Sequence, residues 1–207
     1  ETIECDVVLS AVGIAANIEN IGLEEVGIKT DKGRILVDEY YNTNLKGYYA
    51  IGDVLPTQAL AHVASAEGII CVEKIAGQNP EPIDYGNIPG CTYTSPEIAS
   101  VGMTEAAAKE AGYELKVGKF PFLANGRAKV NKTTEGFVKV LSSSETDQIL
   151  GVHIIGEQAG TMIGEAAVAM EFEATSEDLA RICHAHPTLS EAIKEAALSV
   201  EDRAIHM

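Results

Sequence analysis

The chain has 207 residues, of which 46% are hydrophobic and 22% are charged, values that are ordinary for a globular protein in water. It has 15 Lys and Arg residues against 31 Asp and Glu residues, and the net charge of -16 argues against a nucleic-acid partner, because phosphates need a basic surface. The same charge leaves a basic protein partner possible. No run of about 18 apolar residues is present, so no membrane-spanning helix is expected.

The start of the chain and its cysteines predict an intracellular protein that is a piece of a longer one. The first residues, Glu-Thr-Ile-Glu, include no Met and lack the basic start of a secretory signal. The cysteines are far apart and form no C-x-x-C pair, so neither a disulfide framework nor a zinc site is expected. We therefore expect reduced, mostly buried thiols. The four cysteines are Cys5, Cys71, Cys91 and Cys183.

The first third of the chain shows short apolar runs punctuated by glycine. Residues 4–13 predict a buried parallel strand, because the run is brief, rich in β-branched residues and ended by Gly13. Residues 34–41 and 48–51 predict two further short strands, each preceded by a turn glycine.

A helix is predicted from Leu60 to Ala76, ended by Gly77. Gly52 and Asp53 lie between the preceding strand and this helix. A carboxylate in that setting can accept a hydrogen bond from a ligand hydroxyl, and the helix N-terminus behind it can face an electron-rich ring. The Gly-Asp pair is equally common in ordinary turns.

A loop at residues 85–90 predicts a domain boundary, and the pattern changes after it. Strands are predicted at 97–103, 113–120, 136–141 and 149–155, with a helix at 104–112. Two later segments carry apolar residues at helical spacing, namely Ala159, Met162, Ile163, Ala166, Ala167 and Met170, and Leu189, Ala192, Ile193, Ala196, Ala197 and Val200. Strands followed by helices predict an α+β fold with an antiparallel sheet.

Residues 183–191, Cys-His-Ala-His-Pro-Thr-Leu-Ser-Glu, form the densest group of reactive side chains. His186 before a helix and Glu191 in its first turn can face each other as a general acid/base and its orienting carboxylate. The alternative is a capping box, with Thr188 at the N-cap and Glu191 at the third helical position. A metal site is not expected, because ligands packed this closely cannot converge on one ion and no second ligand cluster exists.

Glycine spacing gives two further indications. No two of the 19 glycines have the G-x-G spacing, so the chain carries neither a dinucleotide fingerprint nor a P-loop. Gly156, Gly160 and Gly164 recur every four residues, which indicates either close packing of a neighbouring element or a helix contact between subunits.

Residues 183–192 resemble the C-terminal signature of the dihydrolipoamide dehydrogenases, a family of flavin disulfide oxidoreductases. The resemblance covers essentially the whole chain in order. Glutathione reductases are near relatives, but a double glutamate follows their His-Pro-Thr, so Ser190-Glu191-Ala192 favours the lipoamide family. The other matching stretches are residues 48–53, 60–62, 67–73, 93–97 and 120–128.

The resemblance implies a role for each matching residue. His186 is similar to the base that removes a proton from a dihydrolipoyl thiol and reaches across the dimer interface to the redox disulfide of the other subunit, and Glu191 is similar to the carboxylate that orients it. Asp53 is similar to the aspartate that binds the ribityl chain of FAD. Gly13 is similar to a glycine that contacts NAD. The residues implied to lie against the flavin are Ala59, Leu60, Ala61 and His62.

The resemblance also implies a domain arrangement. Residues 1–15 correspond to the C-terminal tail of the NAD-binding domain, 16–84 to a central FAD-facing domain and 85–207 to the interface, or dimerisation, domain. The redox cysteine pair and both dinucleotide fingerprints of the family are absent. Residues 14–16 read Ile-Ala-Ala where the family usually has an Arg and a Pro, and Ala59 stands where Met is frequent.

Two hypotheses follow. In the first, the chain is a C-terminal fragment of a dihydrolipoamide dehydrogenase, which oxidises dihydrolipoyl groups with NAD through a disulfide and FAD; the fragment alone is expected to be inactive and to hold no tightly bound cofactor. In the second, it is a homodimerisation and docking module for the basic subunit-binding domain of an acyltransferase core. The expected location is cytoplasmic, or the mitochondrial matrix in a eukaryote.

Overall fold

The chain divides into two units between Ile83 and Asp84. The structure, a computed structural model, describes residues 2–207. Each unit has its own cluster of buried apolar side chains. The assignment of residues 1–15, 16–84 and 85–207 to three parts of a flavin enzyme remains a prediction.

Residues 2–14 form no strand, so the buried strand predicted at 4–13 is wrong. Every one of these residues is exposed, and Val12 reaches 97% exposure. A strand exists only through backbone hydrogen bonds to neighbours, and no strand pairing within residues 2–207 involves this run. Its apolar pattern indicates a preference for burial that the rest of the described chain does not satisfy.

The first unit has little regular structure. The predicted strand at 34–41 shrinks to two residues in a hairpin around Lys32 and Gly33, both with positive φ, and the strand predicted at 48–51 is reduced to one isolated bridge, Asn42 to Tyr49. The described residues of this unit supply no further strand that could pair with the hairpin and extend it. The elements are α1 (Leu23–Val26), β1 (Thr30–Asp31), β2 (Arg34–Ile35), a 3-10 turn (Gly52–Val54) and α2 (Ala61–Ile75).

Helix α2 has the predicted extent and the predicted end. Gly77 follows it with a φ of 81°, and its N–H donates to the carbonyl of Lys74 at 3.0 Å. The N–H of Gln78 donates to the carbonyl of Glu73 at 3.0 Å, which completes a glycine-based helix end.

The second unit is built on a five-stranded antiparallel sheet with the order β3-β4-β7-β6-β5, and the predicted α+β class is confirmed. The predicted connection at 142–148 between two paired strands is present but shorter, because the first strand continues through Ser143 and residues 144–148 make the turn. The short strand β3 was not predicted. The strands are β3 (Gly90–Thr92), β4 (Glu97–Gly102), β5 (Leu115–Pro121), β6 (Phe137–Ser143) and β7 (Ile149–Gly156).

The helices of the second unit cover the sheet. Helix α5 packs on β4 and β7, and α7 packs on β5 and β6. Both predicted apolar stripes line the core, with Ile163 and Ile193 fully buried. The short helices α4 and α6 were not predicted. The helices are α3 (Glu105–Glu110), α4 (Gly126–Asn131), α5 (Ala159–Glu171), α6 (Ser176–Arg181) and α7 (Glu191–Ser199), with 3-10 turns at Tyr85–Asn87 and Phe122–Ala124. None of the helices in residues 2–207 has the length and apolarity to cross a membrane.

Glycine lets α7 approach the sheet closely. A Cβ on Gly118 of β5 would lie 1.9 Å from the carbonyl oxygen of Ala196. The expectation of one glycine face at 156, 160 and 164 is corrected, because Gly156 lies in β7 against the ring of Phe122 while Gly160 and Gly164 belong to α5. A Cβ on Gly164 would meet nothing within 4 Å, so a subunit contact there remains a prediction.

The end of the chain is bonded to α7. The buried carboxylate of Glu195 accepts hydrogen bonds from the N–H of Ile205 at 2.8 Å and the N–H of His206 at 3.3 Å. Its other oxygen lies 2.7 Å from Nδ1 of His206. These bonds attach the last residues to the helix that begins at Glu191.

Candidate functional site

His186 and Glu191 form the pair that the sequence predicted. Nδ1 of His186 lies 2.9 Å from Oε1 and 3.2 Å from Oε2 of Glu191. The imidazole is 71% exposed, whereas the carboxylate is only 20% exposed. The exposed ring therefore has one nitrogen held by a sheltered carboxylate.

The predicted capping box is half formed. The N–H of Thr188 donates to Oε2 of Glu191 at 2.8 Å, as the box requires. The Thr188 hydroxyl instead donates to the carbonyl of Ala185 at 2.8 Å, and α7 begins after Ser190 without a side-chain cap. Glu191 therefore acts both as the partner of the imidazole and as a capping residue, since one carboxylate contacts the His186 ring and the Thr188 N–H.

The ionisation of Glu191 follows from these contacts. Burial acts to raise its pKa. The hydrogen bond from Thr188 N–H, and the hydrogen bond and positive charge of His186, lower the pKa by more, so the net shift is downward. Glu191 is therefore a carboxylate at neutral pH, the form that can stabilise an imidazolium.

Asn125 and Gly126 support the loop from α4. The Asn125 side chain is buried; its amide nitrogen donates to the carbonyl of Thr188 at 3.0 Å, and its oxygen accepts the N–H of Ala128 at 2.9 Å. A Cβ on Gly126 would lie 3.7 Å from Cε1 of His186, so the ring lies beside the helix start. Asn125 received no role of its own in the sequence analysis, although an Asn before a helical segment is an N-cap signal.

His184 differs from its neighbour. Its side chain is 7% exposed, and Nε2 lies 2.5 Å from Oε1 of Glu165. Its Nδ1 lies 3.1 Å from the carbonyl oxygen of Ile182. His184 and His186 thus contact different carboxylates, and no group of three metal-ligating side chains occurs within residues 2–207.

The arrangement is suited to proton transfer at His186. Its Nδ1 is held by Glu191, so Nε2 is the nitrogen that can take a proton from a substrate group. A carboxylate behind the imidazole fixes the ring and stabilises its protonated form. This is the chemistry of a general base with an orienting partner.

The predicted flavin-facing residues lie in the first unit. Asp53 is exposed within the 3-10 turn, and its backbone carbonyl accepts a hydrogen bond from the Arg34 guanidinium. Ala59, Leu60, Ala61 and His62 lead into α2, which begins without a side-chain cap. Gly13 lies in the exposed segment with a φ of 114°.

Glu67 organises the turn that carries Asp53. It is fully buried on α2; its carboxylate accepts the N–H of Gly52 at 2.6 Å and the hydroxyl of Thr57 at 2.9 Å. This role of Glu67 was not predicted, although a Glu on the inner side of a helix is itself a signal, because buried carboxylates need partners.

The cysteines differ from expectation in their burial. Cys71 is buried, and burial, followed by the charge of Asp38, raises the pKa of its thiol. Cys91 is half-buried, but Cys5 and Cys183 are exposed, so the prediction of mostly buried thiols is wrong. Cys5 belongs to the exposed first segment and Cys183 to the loop before His186.

Proteins of known sequence share this chain's pattern. It is 53% identical over 206 residues to mitochondrial dihydrolipoyl dehydrogenase of Pisum sativum, covering 99% of this chain and 41% of that protein. It is 53% identical over 202 residues to leghemoglobin reductase of Glycine max, covering 97% of this chain and 38% of that protein. The chain thus spans about two fifths of the length of these relatives.

A solved structure and two family profiles agree. The fold matches LpdA of Mycobacterium tuberculosis with a TM-score of 0.85 and 31% identity, covering 90% of this chain and 41% of that one. The pyridine nucleotide-disulphide oxidoreductase profile matches residues 1–68. The dimerisation-domain profile of the same family matches residues 88–197, more than half of the chain. The chain therefore belongs to the pyridine nucleotide-disulphide oxidoreductase family.

Proposed function

We propose that the chain is the C-terminal part of a dihydrolipoamide dehydrogenase, in which His186 is the general base. The observation that carries this is the pairing of His186 Nδ1 with the sheltered Glu191 carboxylate at 2.9 Å. The names of relatives at 53% identity, with the His-Pro-Thr-Leu-Ser-Glu segment in place, support a dihydrolipoyl substrate.

The residues of the chain perform the proton transfer. Nε2 of His186 accepts the thiol proton of a dihydrolipoyl group, which makes the sulfur a thiolate able to attack a disulfide. Glu191 stabilises the imidazolium through Nδ1. Thr188 and Asn125 keep that carboxylate and the loop in place. The proton returns to solvent from the exposed ring.

The first unit offers part of a flavin site. The exposed carboxylate of Asp53 can accept hydroxyl hydrogen bonds, and the uncapped start of α2 can face an electron-rich ring. Glu67 holds the turn between them rigid. These residues fit a role in holding FAD, which would carry electrons from the disulfide to NAD in the whole enzyme. Gly13 is proposed to contact NAD.

We further propose that the second unit forms a homodimer and that the acidic chain docks a basic subunit-binding domain of an acyltransferase core. The match to a dimerisation domain supports the homodimer, and the net charge of -16 supports a basic partner. The mitochondrial names of several relatives support a location in the mitochondrial matrix.

The test is the rate of dihydrolipoamide oxidation with NAD by the full-length enzyme that carries this chain. His186→Gln should lower kcat by about 10² to 10⁴, the usual contribution of a positioned base. His153→Gln is the matched control, because the Nε2 of this half-buried histidine of β7 lies 2.9 Å from the carbonyl oxygen of Met103 and its ring has no hydrogen bond to His186 or Glu191; the kcat of this variant should be unchanged. Full activity of the His186 variant would contradict the assigned base.

Docking has a separate test. Light scattering should give a dimer, and binding to the basic domain should weaken steeply as salt is raised. A monomer at every concentration contradicts the dimer, and salt-independent or absent binding contradicts the docking. Preference for glutathione disulfide with NADPH over dihydrolipoamide with NAD would move the chain to the glutathione reductases, the alternative that Ser190-Glu191-Ala192 disfavours.

A further inference from the structure

Two histidines one residue apart have opposite environments. The His184 side chain is 7% exposed while that of His186 is 71% exposed. A buried imidazole needs partners for its nitrogens. The partners of His184 show what it does.

His184 joins the loop to α5. Nε2 lies 2.5 Å from Oε1 of Glu165, a half-buried carboxylate on α5. Nδ1 lies 3.1 Å from the carbonyl oxygen of Ile182, two residues back in the same loop. With Nε2 against Glu165 and Nδ1 against the Ile182 carbonyl, the ring links the loop to α5.

The position of this link matters for His186. Two residues of chain span at most about 7 Å, so the position of His184 limits where His186 can lie. On the other side of His186, the loop is held by Asn125 at the Thr188 carbonyl and by Glu191 at the Thr188 N–H. The base therefore stands between two anchors, one on α5 and one shared by α4 and α7.

We propose that His184 and Glu165 are positioning residues that keep His186 Nδ1 opposite Glu191. The proposal rests on the proposed role of His186 as general base. Among the hydrogen bonds of residues 2–207, the His184–Glu165 contact alone joins residues 182–185 to α5, so its loss lets the exposed imidazole turn away from the carboxylate. We expect substrate binding to be unaffected, because His184 and Glu165 contact each other and not His186.

The experiment compares variants of the flavin-loaded full-length enzyme. His184→Ala and Glu165→Ala should each lower kcat for dihydrolipoamide by about 10-fold to 100-fold, the effect of misplacing a catalytic group by about 1 Å, with KM for dihydrolipoamide unchanged. The double variant should be no slower than the worse single one, because both remove the same contact. NADH oxidation by an artificial acceptor that bypasses the thiol should be unchanged.

Rescue separates positioning from general loss of structure. The amide nitrogen of His184→Gln can occupy the place of Nε2 and donate to Glu165, so this variant should recover most of kcat. Glu165→Gln keeps the oxygen but loses the charge, and should fall between the native residue and Ala; it also serves if the Ala variants fail to fold. His153→Gln should lose comparable thermal stability with normal kcat.

The outcomes are distinct. The proposal is overturned if His184→Ala keeps kcat within twofold, if KM rises instead, if the two substitutions add, or if the His153 control loses as much kcat. A normal rate in His186→Gln, or no dihydrolipoamide oxidation by the native enzyme, would overturn the proposed function itself. An inactive His186 variant together with a fully active His184 variant removes only the positioning role.

Discussion

The two units of the chain bury their apolar side chains to very different degrees. In the second unit, a five-stranded sheet and two amphipathic helices enclose one large core. In the first, the core is a small cluster around Ile35, Tyr41 and Leu55. Apolar side chains there, such as Val7 and Leu9, lie exposed.

The difference shows that regular structure forms where a unit supplies its own hydrogen-bonding and packing partners. Strands β4 to β7 pair with each other, so their patterns are realised. The run at residues 4–13 has an equally clear strand pattern but finds no pairing partner among residues 2–207. We therefore expect substitutions in the core of the second unit to lower the free energy of unfolding more than similar substitutions in the first unit.

The largest effect is expected at Gly118. In Gly118→Val, the new Cβ meets the Ala196 carbonyl at 1.9 Å, so α7 must move off the sheet. We expect the free energy of unfolding of the second unit to fall by about 3 kcal/mol or more, measured by urea denaturation. Gly90→Val is the control within this unit, because its Cβ would meet nothing within 4 Å.

In the first unit, the Cβ of Gly68→Ala meets only the end of the Ile51 side chain, at 3.2 Å, and a loss under about 1 kcal/mol is expected.

Cavity formation should differ between the cores. Ile193→Ala removes a fully buried side chain between helix and sheet and should cost about 3 kcal/mol, while Leu55→Ala in the small cluster should cost about 2 kcal/mol, because a loosely framed site collapses more readily. Hydrogen exchange resolved by segment would assign each loss to its unit. Equal losses would refute the contrast between the cores.

A smaller effect is expected at the start of α6. The Thr175 hydroxyl accepts the N–H of Asp178 at 3.1 Å, and the carboxylate of Asp178 accepts the N–H of Thr175 at 2.8 Å. Thr175→Ala should lower the stability of the second unit by about 1 kcal/mol. Thr92→Ala, an exposed strand substitution, is the control. A loss seen equally in the first unit would show that the units unfold together.

The smallest effect concerns acid. The pKa of Glu191 is lowered in the folded chain, so its contribution to stability is present above the unfolded pKa of about 4.5 and is lost as pH falls through the folded value. Glu191→Gln should therefore flatten the loss of second-unit stability below about pH 4.5, by roughly 0.5 kcal/mol for so exposed a partner as His186. Denaturant midpoints from pH 7 to pH 3 would measure it. If the stability of the variant falls with pH in the same way as that of the native chain does, the Glu191 carboxylate does not stabilise the loop.

The parts of the fold that were predictable from sequence are those with a local cause. Spacing placed the buried faces of α5 and α7, and Gly77 marked a helix end. The strand predicted at 4–13 is wrong because an apolar sequence pattern indicates a preference for burial but does not show whether a neighbouring strand is present. Short helices such as α4 offer too few residues for a period to show.

The same distinction applies to the site. His186 and Glu191 are five residues apart, so the pairing was visible in the sequence. Glu165 reaches His184 across 19 residues and Asn125 reaches Thr188 across 63, contacts that only the packed sheet and helices create. The paired side chains of the site are close in sequence and could be predicted, whereas the side chains that hold their loop in place are distant in sequence and could not.

The bonds of Glu195 connect residues 205 and 206 to the helix that carries Glu191. Glu195 lies one turn beyond Glu191 on α7, and its buried carboxylate accepts the N–H groups of Ile205 and His206. A substitution that releases these two residues therefore leaves a buried carboxylate without these partners, one helical turn from the carboxylate that faces His186. Disorder in that segment would reach the candidate site through a single turn of helix.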